Sequence, residues 1–141
     1  MSMSNQQDMD LLADYLRTTK RKRVLVVEDD YMQALMIKGM LLEINGNLEV
    51  DIIEDAAASM TKIMEDKSVD PFDLVICDVN LGPTPAGNLV AYHCNFIYPS
   101  PKTILISASP ETVDSKRKFD RFLAKPIEAT ELKRAVDSLL A

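Results

Sequence analysis

The sequence predicts an α/β domain, a doubly wound sheet of five parallel strands with helices on both faces. Two apolar runs, VLVV at 24–27 and LVIC at 74–77, have the unbroken hydrophobicity of strands buried on both sides. Strand-like and helix-like segments then alternate five times along the chain, a βα repeat that demands parallel strands and right-handed crossovers. Each apolar run also stops at carboxylates: Glu28, Asp29 and Asp30 after the first, Asp78 after the second. Ligands of such sheets sit at the carboxyl ends of the strands. Like charges about 4 Å apart repel by about 4 kcal/mol at an effective dielectric near 20. Such a cluster calls for a counter-ion, and a hard divalent cation held by oxygen, Mg²⁺ foremost, is the natural one.

The bulk numbers allow this and exclude much else. The 141 residues suit one domain with a sizeable core. A net charge of −6 argues against a nucleic-acid surface and against an anionic membrane as partner. No apolar run approaches the roughly 18 residues of a membrane span, and the polar residues 1–7 lack the apolar stretch of a signal peptide. Cys77 lies in a predicted strand and Cys94 in a predicted helix, so both read as small apolar fillers in a reduced, cytoplasmic setting. Neither has metal-ligand spacing to the other or to His93, which reads as an ordinary helix histidine.

The elements follow in order. Leu11/Tyr15 and Leu12/Leu16 pair at i,i+4, which predicts a short amphipathic helix over residues 8–16. The basic run Lys20-Arg21-Lys22-Arg23 reads as a solvated linker to the first strand. Asp30 with Gln33 forms a capping-box pattern and is read as a helix cap alone; residues 31–44 continue as helix until Gly46 ends it. Val50, Ile52 and Ile53 mark a less apolar second strand, expected at an edge. Residues 56–64 form the next helix, with Met60 and Ile63 or Met64 inward, and the third strand is expected over 72–77. Gly82, Pro83, Pro85 and Gly87 make a loop, expected to be stiff. Helical periodicity over 89–97 offers two stripes, Leu89/His93/Phe96 and Val90/Cys94/Ile97. Pro99 and Pro101 precede strand four at 103–106. A short helix is expected after Pro110, strand five at 121–124, and a last helix with the inward stripe Leu132, Ala135, Val136 and Leu139.

Four strand ends therefore bring polar groups to one edge: Glu28/Asp29, Asp78, Ser107 and Lys125. An aspartate attacks phosphorus once a metal and a lysine neutralise the phosphoryl oxygens. Asp29, Asp78 and one backbone carbonyl suit Mg²⁺, with waters completing six positions. Lys125 and Ser107 would each contact a phosphoryl oxygen, which supplies the positioning and charge neutralisation that phosphoryl transfer needs.

From about residue 23 to 141 the chain resembles a receiver domain of a two-component response regulator. The resemblance rests on VLVVEDD (24–30), FDLVICDVNLG (72–82), TILISAS (103–109) and DRFLAKPI (120–127), in that order. It implies the flavodoxin-like fold with strand order 2-1-3-4-5, residues 1–22 as an N-terminal extension and 23–141 as the receiver. It makes Asp78 the phospho-acceptor. Asp29 becomes the direct metal ligand, with Glu28 acting through bound water and Asn80 giving its backbone carbonyl. Ser107 becomes the switch hydroxyl, Lys125 the phosphoryl-contacting lysine, and Lys125–Pro126 a cis bond. Phe122 stands at the aromatic switch position, with plain core packing as the alternative. The implied partners are a histidine kinase or phosphotransfer protein as donor and a downstream protein; a homodimer is also open.

Two departures qualify the resemblance. The loop after Asp78 is about one residue longer than the family's and holds two prolines. Only 18 positions separate Ser107 from Lys125, about one helical turn fewer than the family has, so the fourth helix region is expected to be shortened. Two other functions are weighed: a Mg²⁺-dependent phosphohydrolase working through an aspartyl phosphate, and a pseudo-receiver that binds without accepting phosphate. The hydrolase would want a carboxylate two residues after its nucleophile, where Asn80 stands. The receiver reading is not that of an enzyme acting on a separate substrate. Because the N-terminal helix is peripheral in this scheme, removal of residues 1–20 should leave acyl-phosphate labelling of Asp78 intact by mass spectrometry, and loss of folding would contradict it.

Overall fold

The computed structural model describes residues 5–82, 86–116 and 118–141. Its elements are α1 (Gln6–Thr19), β1 (Arg23–Val27), α2 (Tyr31–Ile44), β2 (Glu49–Ile53), α3 (Ala56–Asp66), β3 (Leu74–Asp78), α4 (Gly87–Cys94), β4 (Lys102–Ser107), β5 (Arg121–Ala124) and α5 (Ala129–Leu139). The five strands are all parallel, in the order β2-β1-β3-β4-β5. Two cores separate along the pleat, because alternate strand residues point to opposite faces. Val24, Val26, Leu74, Ile76, Ile104 and Ile106 pack under α2 and α5, through Ala34, Ile37, Leu41, Leu132, Ala135 and Val136. Leu25, Val27, Val75, Cys77 and Leu105 pack on the other side with Ile63, Val90, Ala91 and Cys94 from α3 and α4. The chain leaves β1 towards β2 on one side and β3 on the other, so a crevice opens at the carboxyl ends of β1 and β3.

β1 illustrates what sets register here. Every residue of it is buried, so an alternating pattern cannot distinguish one register from a one-residue slip. The polar residues at its two ends do so: Glu28 is held at the carboxyl edge and Arg23 at the opposite edge. Arg23 corrects the solvated-linker expectation. It is the first residue of β1, only 5% exposed, with its guanidinium 4.1 Å above the Phe72 ring. It bridges Asp51 at 3.0 Å and Asp66 at 3.1 Å, lies 3.6 Å from Glu49, and also donates to the Asp70 carbonyl. Neighbouring basic residues are engaged too: Lys20 meets Asp70 at 2.8 Å, and Arg21 donates to the Asn47 and Leu48 carbonyls. The acids that collect this run come from β2, α3 and the α3–β3 connection, which only folding brings to the foot of β1.

Other differences are local. β3 starts at Leu74, leaving Phe72 buried outside the ladder as the floor for Arg23. β4 extends to Ser107, which is therefore inside the sheet. α4 ends at Cys94, and of its two stripes Val90/Cys94/Ile97 is buried while Leu89 and Phe96 are exposed. In α3, Ile63 is buried and Met64 is exposed. After Pro110 there is a single 3-10 turn, Pro110–Thr112, in place of a helix. The stiffness expected of Pro83 and Pro85 falls outside the described residues. β2 lies at an edge, Asp30 caps α2 by accepting from the Gln33 amide, and Lys125–Pro126 is cis, as is Tyr98–Pro99. Among the described residues no helix is long and apolar enough to cross a membrane.

Arg23→Met would leave several partly buried carboxylates without their shared cation. It should lower stability by about 2–3 kcal/mol, read as a drop in the urea midpoint. An unchanged midpoint would reduce the network to a surface feature.

Candidate functional site

Each polar group of the carboxyl edge is placed by the end of a strand. Glu28 and Asp29 follow β1, Asp78 is the last residue of β3, Ser107 the last of β4, and Lys125 follows β5. The β1/β3 register pairs Val27 with Cys77, so Glu28 and Asp78 emerge side by side. Oxygens of Glu28, Asp29 and Asp78 all lie within 4.8 Å of one another. Lys125 reaches across β4 to this group: its ammonium is 2.8 Å from Asp78 Oδ2 and 3.0 Å from Glu28 Oε2.

The remaining oxygens are aimed by backbone amides. Asn80 N–H donates to Asp78 Oδ1 at 2.9 Å, Asp30 N–H to Glu28 Oε1 at 3.1 Å, and Gly82 N–H to Asp29 Oδ2 at 2.9 Å. Burial divides the three acids. Glu28 and Asp78 are 1% and 4% exposed, whereas Asp29 faces solvent. Burial pushes the Glu28 carboxyl up to about 7, against the hydrogen bond from Asp30 and the pull of Lys125, with the Asp78 charge adding to the rise. Burial would lower the Lys125 ammonium, but its hydrogen bonds to Asp78 and Glu28 outweigh that and hold it above the ordinary lysine value. The donor set fits a hard cation: three carboxylates converge, one open to water, with no nitrogen or sulfur ligand among them.

Ser107 is wholly buried and joins the group through Asn80, whose side-chain amide lies 3.4 Å from the Ser107 hydroxyl. Phe122 is half-buried and packs on the core layer that contains Leu105 and Val90. Glu28, Asp29, Asp78 and Lys125 thus form one constellation, with Ser107 beside it and Phe122 on β5, two strands over from Asp78.

Three residues of this region were not singled out from sequence for what they do. Gly87 opens α4 against the backbone at the end of β3: a Cβ there would lie 2.2 Å from the Asp78 carbonyl oxygen and 2.6 Å from Val79 Cα. Its N–H donates to the Val79 carbonyl at 3.0 Å. Only glycine permits this approach, which ties α4 to the end of β3. Asn88, 7% exposed, uses its side-chain amide like a strand: it donates to the Thr112 carbonyl at 2.7 Å and accepts from the Asp114 amide at 3.1 Å. Thr112 in turn faces Ser107. A buried asparagine in an apolar helix start was the available signal for Asn88; Thr112 had none, because its role depends on how the β4–β5 connection folds back.

The Glu28 carboxyl gives the site a pH signature. With a native value of about 7 against an ordinary 4.5, the folded state holds a proton that the unfolded state releases. Stability in divalent-free buffer should therefore fall as pH rises between those two values. Glu28→Gln should flatten that fall and raise the melting midpoint above pH 7; a slope identical to that of the parent would locate the effect elsewhere.

No protein-family model and no curated protein matches the sequence. Solved structures do match in fold. A CheY-like receiver domain from Methylobacillus flagellatus is 22% identical, with a TM-score of 0.69 over 85% of this chain and 99% of that one. A receiver domain protein from Clostridium thermocellum is 20% identical, with a TM-score of 0.72 over 84% and 94%. The receiver domain of a sensor histidine kinase from Pseudomonas aeruginosa, solved with a magnesium ion coordinated in its active-site cleft, is 18% identical with a TM-score of 0.69 over 86% and 100%. With the same strand order and helices on both faces, this chain has the fold of a response-regulator receiver domain.

Proposed function

We propose that the domain accepts a phosphoryl group on Asp78 and uses it to switch a protein-binding face. The observation that carries this reading is Lys125, whose ammonium bridges the buried Asp78 and Glu28 beside an acidic cluster. Receiver domains are signalling modules, and the donor in this reading is a histidine kinase or phosphotransfer protein.

The residues divide the work. Asn80 N–H fixes Asp78 Oδ1, which orients the carboxylate for in-line attack. The new Asp78 oxygen–phosphorus bond forms as the bond to the donor's leaving nitrogen breaks, and the electron pair leaves with that nitrogen. Lys125 follows the negative charge from the carboxylate to a phosphoryl oxygen, and the Ser107 hydroxyl donates to another. Bound Mg²⁺ would neutralise phosphoryl oxygens, and Asp29, Asp78, the Asn80 carbonyl and, through water, Glu28 would hold it. Residues 23–141 are the receiver unit in this assignment and residues 1–22 an extension. The output partner is a downstream protein or a second copy at the β4–β5 side. A reduced, cytoplasmic setting suits the free thiols Cys77 and Cys94.

Incubation with Mg²⁺ and acetyl phosphate, followed by intact mass, should show one phosphoryl addition that Asp78→Asn abolishes. A folded protein that binds Mg²⁺ yet takes no addition would overturn the proposal in favour of a pseudo-receiver. Turnover of a phosphomonoester would favour a hydrolase.

A further inference from the structure

We propose that Thr112 is a positioning residue: by occupying the Ser109 carbonyl it keeps the Ser107 hydroxyl proton available for the phosphoryl group. This rests on the phospho-accepting reading above. Ser107 Oγ carries one proton and lies 3.0 Å from the Ser109 carbonyl oxygen. That carbonyl is already claimed twice by Thr112, whose hydroxyl donates at 2.7 Å and whose backbone amide donates at 3.0 Å. A carbonyl oxygen has two lone pairs, so three donors oversubscribe it. The surplus donor is Ser107, which also accepts from the Ser109 amide at 2.9 Å and from the Asn80 side-chain amide at 3.4 Å. With the Thr112 proton on Ser109, the acceptor left to the Ser107 proton is the Thr112 hydroxyl oxygen at 3.2 Å, farther than an ordinary O–H···O bond.

The consequence is a hydroxyl fixed in place by its acceptor contacts but with its proton weakly committed. Turning that proton towards a phosphoryl oxygen on Asp78 breaks no covalent bond and leaves no carbonyl unpaired, because Thr112 remains on Ser109. Without the Thr112 hydroxyl, one lone pair of that carbonyl opens and Ser107 becomes its natural donor, so the proton has to be taken from a satisfied bond. The arrangement depends on the short β4–β5 connection. The 3-10 turn Pro110–Thr112 folds Thr112 back over Ser107, and Asn88 of α4 grips the Thr112 carbonyl at 2.7 Å. The exposed face of α4 (Leu89, Tyr92, Phe96) is thereby one hydrogen bond away from the switch hydroxyl's partner.

The test is a double-mutant cycle on the affinity for beryllofluoride, a phosphoryl mimic, measured by calorimetry on the full chain with Mg²⁺. Thr112→Val should weaken binding roughly fivefold, about the factor of one net hydrogen bond, and Thr112→Ser should restore it. In a Ser107→Ala background Thr112→Val should have no further effect, which a merely structural role would not produce. Wild-type affinity in Thr112→Val, or the same loss with and without Ser107, would overturn the proposal. Thr112→Ala carries the same expectation should the valine variant fail to fold. A wild-type chain that neither binds beryllofluoride nor is labelled by acetyl phosphate would instead remove the phospho-accepting reading itself.

Discussion

Lys125 is the tie that makes the carboxyl edge of the sheet tolerable. Two buried carboxylates, Glu28 and Asp78, sit side by side because β1 and β3 are paired neighbours, and a third, Asp29, stands at their solvent side. Repulsion of about 4 kcal/mol per close pair would oppose that pairing without a cation. The ammonium arrives from the far end of β5, across β4, and contacts both buried acids. It therefore needs all of β1, β3, β4 and β5 in register, and it links the order of the sheet to the chemistry at its edge. A single lysine balances only part of the charge. Burial still pushes the Glu28 carboxyl up to about 7, and the oxygens of the three acids lie close enough together to suit a hard divalent cation.

Arg23 does the complementary work at the opposite edge. Its guanidinium lies on Phe72 and gathers acids from β2 and α3. A buried charge is costly unless it is paired and hydrogen-bonded on most sides. With Arg23 at one end of β1 and Glu28 at the other, the apolar strand between them has one register in which both are satisfied. Four buried apolar residues supply the cohesion, and the two polar ends supply the address.

The β4–β5 connection is where this chain acquires its own character. With one 3-10 turn instead of a helix, the segment is held by side chains of α4 and its cap: Asn88 grips Thr112 and Asp114, and Asn95, just past the helix, donates to the Lys118 carbonyl further on. Gly87, at the head of the same helix, lies against the Asp78 backbone. α4 thus touches the Asp78 backbone through Gly87 and the partner of Ser107 through Asn88. Two routes from the site converge on one short helix whose Leu89, Tyr92 and Phe96 are exposed.

Much of this was legible in order along the chain. Unbroken apolar runs ending in acids announced buried parallel strands with a charged edge, and Asp30 with Gln33 announced the cap that the structure shows. Those signals are local: hydrophobic period, capping geometry and strand ends depend on neighbours in sequence. Arg23, Thr112, Asn88 and Gly87 could not be read that way. A basic residue in a basic run looks solvated until Asp51 and Asp66 arrive from other elements, and a threonine in a loop has no role until the loop turns back on Ser107. The sequence by itself determined which groups stand at the strand ends. Only the tertiary structure decided which of them share a lysine or a carbonyl, because burial and the distances between strands set those energies, and neither exists before the sheet forms.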